Sequence, residues 1–424
     1  MSTDKTFHQV LTSESPTRRL VMGILFILLG LAIILLFGVT TNPAAKTEFS
    51  LNPGGSAVLL PSIFIPTTAT IYVMAILCAI LGGVQLARGF KKYTSWILGV
   101  IILFFITCFL LWAAAGKSMN LAGLFVTTLG KSVPITLGAM AGIVCERAGI
   151  WNIAIEGMML MGAMVACIVS SVLHNAWLGV LAGILSGGLI AMLHGLLSIK
   201  YKVNQIISGT VINIFATGFT SYINNKFMQT YENLNAPAIF KTFDIPLLVK
   251  IPFIGPILFR NNMYVYAMYI MLIVLTIILF KTRAGLRLRS VGEHPKAADT
   301  LGINVIRLRY IAVALSGAVA GFAGSYFTLG SVGRFDKLMT AGRGFIALAA
   351  MIFGNYMPGG AFSSGLLFGF ADSLKDRLSI LNVNIPSPFL LMAPYLATLI
   401  VLAGVVGRST PPAAGGVPYD KEST

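Results

Sequence analysis

The residues of this chain best placed to do chemistry fall in one stretch, Cys145-Glu146-Arg147-Ala148-Gly149-Ile150-Trp151-Asn152-Ile153-Ala154-Ile155-Glu156-Gly157. It sets two carboxylates, a guanidinium and a carboxamide inside apolar sequence. A second polar stretch, Val291-Gly292-Glu293-His294-Pro295-Lys296-Ala297-Ala298-Asp299-Thr300-Leu301-Gly302-Ile303-Asn304, lies between two long apolar runs. Ionisable groups inside a bilayer are rare and mark functional positions by default. Their chemistry there is hydrogen bonding and charge pairing, either with a polar solute in transit or with an interrupted helix. Catalysis needs more than this. His8, His174, His194 and His294 are scattered and fit no metal motif. Two Gly-Lys-Ser triplets, at 116–118 and 130–132, lack the first glycine of a phosphate loop, because Leu111 and Phe125 stand there. Gly342-Arg343-Gly344-Phe345-Ile346-Ala347 superficially fits a dinucleotide loop, but it opens an apolar helix with no strand before it. No catalytic residue, metal ligand or cofactor site follows from the sequence, and any ATP-driven step must belong to another polypeptide.

The elements that position these residues are membrane spans. Of the 424 residues, 56% are hydrophobic and only 10% charged, with a mean hydropathy of +0.86. Soluble domains carry roughly 25% charged residues, so the composition leaves little room for one. Apolar runs long enough to span, roughly 20 residues each, occur near 20–38, 67–87, 94–115, 121–145, 150–172, 177–199, 205–223, 263–280, 310–329, 344–356, 359–380 and 388–406. The fold class expected is an all-α polytopic membrane protein of ten to twelve spans. Lys131 and Pro134 weaken the 121–145 segment, and 344–356 is short. The net charge of +16 comes from Lys and Arg at the ends of apolar runs, a topology signal that argues against nucleic acid. Seven basic residues between Lys281 and Arg309 put that loop, and with it both termini, in the cytoplasm. Segment 1–19 is then a cytoplasmic lead-in, and 224–262, rich in Pro and Asn, is an external loop. Tail 407–424 reads as disordered and cytoplasmic. The four cysteines sit in apolar runs as small buried hydrophobes.

Within the spans, Gly179, Gly183, Gly187, Ala191 and Gly195 recur every four residues, as Gly317, Gly321 and Gly324 nearly do. Both patterns predict close helix packing. Gln205, Gly209, Asn213, Thr217 and Ser221 form a polar stripe that drifts about 40° per step around a helix. The stripe either lines a passage for a polyhydroxy or heterocyclic solute or makes interhelical hydrogen bonds. The Glu146–Glu156 stretch is likewise open to two readings. One is a broken helix lining a cavity. The other is a tight turn with Glu146 and Arg147 solvated and Glu156 capping the next helix. Asn152 and Glu156 share a face deeper in apolar sequence, which suits a buried structural or pathway role. Gly292–Leu301 reads as a short helix with Pro295 in its first turn and Gly302 past its end, a capped surface suited to docking.

At these residues the chain resembles the permease subunits of bacterial ATP-binding-cassette importers, in particular the nucleoside and simple-sugar type of the branched-chain amino acid/ribose permease family. Four blocks carry the resemblance: Glu146 to Gly157; Asn204 to Gly209 with Asn213; Val291 to Ala298 with Gly302 to Asn304; and Gly342 to Ala349 with Gly354 and Pro358 to Gly360. They cover about 120–406, so the helices within 20–115 are extra to that core. The resemblance implies an importer fold whose Gly292, Glu293, His294, Pro295, Lys296, Ala297, Ala298 and Gly302 form the coupling helix on a separate ATP-binding subunit. A substrate pathway past Asn152, Glu156, Gln205, Ser208, Gly209, Asn213 and Thr217 goes with it. It also implies a second, non-identical permease subunit, an extracytoplasmic solute-binding protein, and a place in the bacterial cell membrane. Nucleosides are the expected solute, with sugars or other small solutes as the alternative. An ion-coupled secondary transporter using Glu156 is a second class, and a membrane enzyme a third.

Overall fold

The computed structural model of the protein describes residues 15–54, 59–381, 383, 392 and 409–420. It divides into two compact units, Met1–Gly123 with Asp376–Leu390 and Leu124–Lys375 with Leu391–Thr424. Among the described residues nine helices are long and apolar enough to cross a membrane. Helix Arg343–Phe353 is too short to span alone. Pro358–Ile380 has 23 residues but is less apolar than the nine. The apolar run 388–406 lies outside the described residues, apart from Met392.

In the first unit, α1 (Pro16–Ile33) is prolonged by a π-helical turn to Gly38. It packs on α2 (Thr67–Ala87), where a Cβ at Gly30 would meet the Ala75 carbonyl at 2.9 Å. Helix α3 (Thr94–Ala113) completes the set. The sequence reading assigned no strands here, yet the connections form a small sheet. β1 (Lys46–Ser50) pairs antiparallel with β2 (Ile63–Pro66) and parallel with β3 (Ser118–Asn120). These pairings satisfy backbone groups of the connections that would otherwise lack partners. Buried Thr47 ties the sheet to the helices through Thr67 Oγ1 (2.7 Å) and the Leu111 carbonyl (3.0 Å).

The second unit holds the long helix α4 (Leu121–Glu146) from Leu124 on, α5 (Ile155–Leu173), α6 (Ala176–Gly195), α7 (Gln205–Ile223) and α9 (Met263–Lys281), the last preceded by the short α8 (Ile254–Phe259). Then follow α10 (Arg283–Glu293), α11 (Pro295–Thr300), α12 (Val305–Ser325), α13 (Arg343–Phe353) and α14 (Pro358–Ile380) as far as Lys375. The glycine stripes meet as helix packing requires. A Cβ at Gly187 would lie 2.3 Å from the Gly317 carbonyl, and one at Gly321 would lie 2.2 Å from the Gly183 carbonyl. Backbones of α6 and α12 therefore touch with nothing between them. The loop 229–262 is pinned to the segment after α12. Asn235 donates to the Phe335 carbonyl (3.0 Å) and accepts from the Phe335 amide (2.7 Å), and Phe240 N–H donates to the Leu329 carbonyl (2.8 Å).

The two residues that weaken the 121–145 run are both answered within this unit. Lys131 pairs with Asp372 at 3.3 Å, a carboxylate that Arg343 and Lys375 also contact at 3.1 and 3.0 Å. Pro134 has no N–H, so the carbonyl of Gly130, one turn earlier, loses its helical donor. The Tyr326 hydroxyl donates to that carbonyl at 2.8 Å. Proline inside a span is tolerated where a neighbour re-satisfies the freed group in this way.

Candidate functional site

The segment between α4 and α5 is not helical, and the structure shows what holds it. Helix α4 stops at Glu146, Gly149 takes a φ of +83° that few other residues adopt, and the chain returns through Trp151 and Asn152 to restart at Ile155. The polar face of α7 lies against this return. Gln205 Oε1 accepts from the Trp151 amide (2.7 Å). Asn213 Nδ2 donates to the Ile153 carbonyl (2.8 Å), and its Oδ1 accepts from the Gly157 amide (2.8 Å). Gly209 lets the two stretches of chain approach, since a Cβ there would meet Ile153 Cβ at 2.8 Å. His194 completes the wrap. Its Nε2 donates to the Trp151 carbonyl (3.0 Å), and its Nδ1 pairs with the Ser208 hydroxyl (3.1 Å). Asn152, fully buried, donates to Ser316 Oγ (2.9 Å) and accepts from the Ala154 amide (3.2 Å).

Glu156 caps a helix, but not its own. Its Oε1 accepts from Thr340 Oγ1 (2.6 Å) and the Gly342 amide (2.9 Å), and its Oε2 accepts from the Gly344 amide (2.6 Å). These groups form the N-terminus of α13, where amides lack helical partners and the dipole favours an anion. Gly344 must be glycine: a Cβ would stand 2.5 Å from Glu156 Cα. Ala347 faces Gly138 and Met351 faces Gly142, so α13 runs parallel to the second half of α4 and begins beside its middle. A helix that starts inside the span is a half-helix, and its exposed amides need such an acceptor. The caps therefore form a relay: Asn213 on α7 serves the first turn of α5, and Glu156 on α5 serves the first turn of α13.

Both sequence readings of the Glu146–Glu156 stretch are thus modified. Glu146 is buried rather than solvated, with the Asn152 amide as partner. Half-buried Arg147 donates through Nε and Nη2 to the Tyr356 carbonyl at 3.2 and 3.0 Å. Burial pushes its guanidinium down from the usual range, while the Glu293 carboxylate opposes that shift. The structure brings Asn152, Glu156, Gln205, Ser208, Gly209 and Asn213 around one break, all of them buried. Thr217, a turn beyond Asn213, is half-buried. Sequence reasoning missed His194, Ser316, Thr340 and Gly342 as partners. For the last the signal was present in the two glycines flanking Arg343, which served there to dismiss a nucleotide loop and as part of a resemblance block, not as a helix start in need of a cap.

The second candidate element differs in its bounds from the expected Gly292–Leu301 helix. Gly292 and Glu293 finish α10, and α11 covers only Pro295–Thr300. The residue before a proline is driven out of helical geometry, and His294 accordingly has φ −146° and ψ 81°. Its Nδ1 accepts from the Ala297 amide at 3.3 Å, and Gly302 follows the helix at φ +81°. Lys296 and Ala297 are exposed, whereas Ala298 packs with Val291 and Val305. An open cleft of about 820 Å³ beside α11 is lined by Lys296, Asp299, Asn304, Arg307 and Tyr419. Among the described residues no group of three or more His, Cys, Asp or Glu side chains is placed to hold a metal ion. The arrangement binds and positions backbone.

Comparison with known proteins shows the family. Residues 124–406 match the family described as the permease component of the branched-chain amino acid transport system. The guanosine ABC transporter permease protein NupQ of Bacillus subtilis is 40% identical over 308 residues, 69% of this chain and 95% of the relative. The nucleoside ABC transporter permease protein NupC of Lactococcus lactis is 40% identical over 306 residues, 68% and 94% of the two chains. The putative glucose ABC transporter permease protein TsgC13 of Haloferax volcanii is 33% identical over 310 residues, 68% and 93%. No solved structure matches the chain. With the family match over residues 124–406 and, among its described residues, nine helices long and apolar enough to cross a membrane, this chain belongs to the branched-chain amino acid transport system permease family and is a multi-pass membrane transport component.

Proposed function

We propose that the chain is a translocation subunit of an ATP-driven importer whose solute is a nucleoside. The observation that carries this reading is the pairing of a family match over the second unit with the polar break at Ile150–Gly157. Relatives named for guanosine and nucleosides, each 40% identical across nearly their whole length, support the choice of solute. The relative named for glucose favours a sugar as the second reading. Asn152, Glu156, Gln205, Ser208, Gly209, Asn213 and Thr217 frame the pathway: they hold the break in shape, and the solute passes beside it. ATP is hydrolysed on a separate subunit, which docks on the exposed face of α11. A second, non-identical permease and an extracytoplasmic binding protein complete the transporter. The 282–304 loop and both termini face the cytoplasm of a bacterial cell.

Uptake decides the solute. Cells expressing the full set of subunits should accumulate radiolabelled guanosine, and excess unlabelled nucleoside, but not glucose, should compete. Competition by glucose alone would install the sugar reading in its place. Orientation has its own measurement. The four native cysteines are buried, so a membrane-impermeant thiol reagent on intact cells should label Asn233→Cys and spare Lys296→Cys. The reverse pattern would invert the proposed topology.

A further inference from the structure

The sequence reading left residues 407–424 as a disordered tail, yet residues 409–420 follow a defined path across the polar end of the second unit. The Thr410 amide donates to Asn355 Oδ1 (2.9 Å). The Ala413 amide donates to Glu293 Oε2 (3.2 Å), and the Ala414 amide to the Gly292 carbonyl (2.9 Å). The Gly416 amide then crosses to the Gly149 carbonyl (3.2 Å). Further on, the Tyr419 hydroxyl donates to Asp299 Oδ2 on α11 at 2.7 Å, and Lys202 pairs with Asp420.

Two features show that the chain is shaped for this path. Gly415 and Gly416 lie on the Trp151 indole, where added Cβ atoms would come within 2.7 and 3.0 Å of it, and Gly416 has φ +76°. Arg309 is among the largest fully buried side chains. Its Nη1 donates to the Val417 carbonyl (3.2 Å), its guanidinium stands 5.9 Å from the Tyr419 ring, and its Nε and Nη2 have no hydrogen-bond partner among the described residues. A buried guanidinium served so sparsely needs the acceptor that the segment supplies.

We infer that Thr410–Asp420 is a strap that positions α11 against the Gly149–Asn152 turn and carries displacement of α11 to the break. Beside the strap, it is the end of α10, not α11, that approaches this region: Gly292 rests on the Arg147 carbonyl just before the turn, with a hypothetical Cβ distance of 2.2 Å. Such a contact resists compression but transmits no pull. The strap adds hydrogen bonds to both sides, so motion in either direction is passed on. The relay half of this inference rests on the docking role proposed above for α11.

The test uses the complete transporter in proteoliposomes, with the permease lacking 409–424 or carrying Gly416→Val or Tyr419→Phe. Each variant should still co-purify with the ATPase, while solute moved per ATP hydrolysed falls by about fivefold or more, the lower range of a typical coupling energy. Ala297→Trp should instead lose the ATPase itself. Hydrogen exchange on the permease alone gives a readout that needs no ATPase: amides of residues 149–151 should exchange faster in Tyr419→Phe. A wild-type transport ratio together with unchanged exchange overturns the strap. Loss of the ATPase from the Tyr419→Phe complex also overturns it, making the segment part of the docking surface. If Ala297→Trp keeps a fully stimulated ATPase, the docking role of α11 fails, and the exchange result alone decides whether the strap positions the turn.

Discussion

Two defects in helical backbone lie within the second unit, and they are patched differently. At Pro134 an unbroken helix loses one donor, and one neutral hydroxyl, Tyr326, replaces it at 2.8 Å. At the start of α13 the chain presents two amides and a hydroxyl, and a full carboxylate, Glu156, receives all three. The difference follows from what each defect exposes. A proline gap leaves a single carbonyl with a partial negative charge, which a phenol satisfies. A helix N-terminus gathers several N–H groups and the positive end of the dipole, and an anion fits that better than any neutral group. The charge at Glu156 is thus explained by backbone alone, and a search for its role in transport has to begin from that fact.

The comparison breaks first at Glu156. Glu156→Ala leaves three donors without an acceptor, at about 1–3 kcal/mol for each buried unsatisfied group, so the variant should fail to accumulate as folded protein in detergent extracts. Glu156→Gln keeps one acceptor and loses the charge, and should fold with a clearly lowered unfolding midpoint. A Glu156→Gln protein as stable as the native one would show that the charge serves transport rather than the cap. The smaller effect belongs to the proline patch. Tyr326→Phe should cost roughly 1 kcal/mol or somewhat more by orphaning the Gly130 carbonyl. In a Pro134→Ala background the same change should cost measurably less, because an alanine in place of the proline returns the missing N–H. Equal costs in both backgrounds, read as midpoints in thermal unfolding, would mean that the hydroxyl does not answer the proline.

How far the sequence revealed these patches depended on chain separation. The spans were legible because apolar length is a local property. Pro295 was legible as a first-turn residue, but the helix was expected from Gly292 and begins only at Pro295, because the proline drives His294 out of helical geometry. Glu156 was visible as an acid in apolar sequence, but its partners lie up to 188 residues away, and no local periodicity encodes such a pairing. His194 looked like one of four scattered histidines until Trp151 and Ser208 were placed beside it. Of the stripe Gln205, Gly209, Asn213, Thr217 and Ser221, the first three meet the backbone of residues 151–157, an object that was hidden because that backbone is irregular. The path of residues 409–420 was missed because Pro and Gly in a row read as disorder. Here those glycines admit the Trp151 ring.

The relay of caps also bears on how the protein is made. Gly157 receives its cap from Asn213, 56 residues later in the chain, and Glu156 meets the amide of Gly344 only 188 residues after its own synthesis. At about 5–20 residues per second of elongation, the carboxylate waits roughly 10–40 s for its partners. Throughout that interval α5 carries an uncompensated acid toward the bilayer, so it must stay near water, lipid headgroups or the insertion machinery, and it can settle only when α13 arrives. The order of synthesis thus makes α13, a helix too short to span on its own, the element that completes the insertion of one made much earlier.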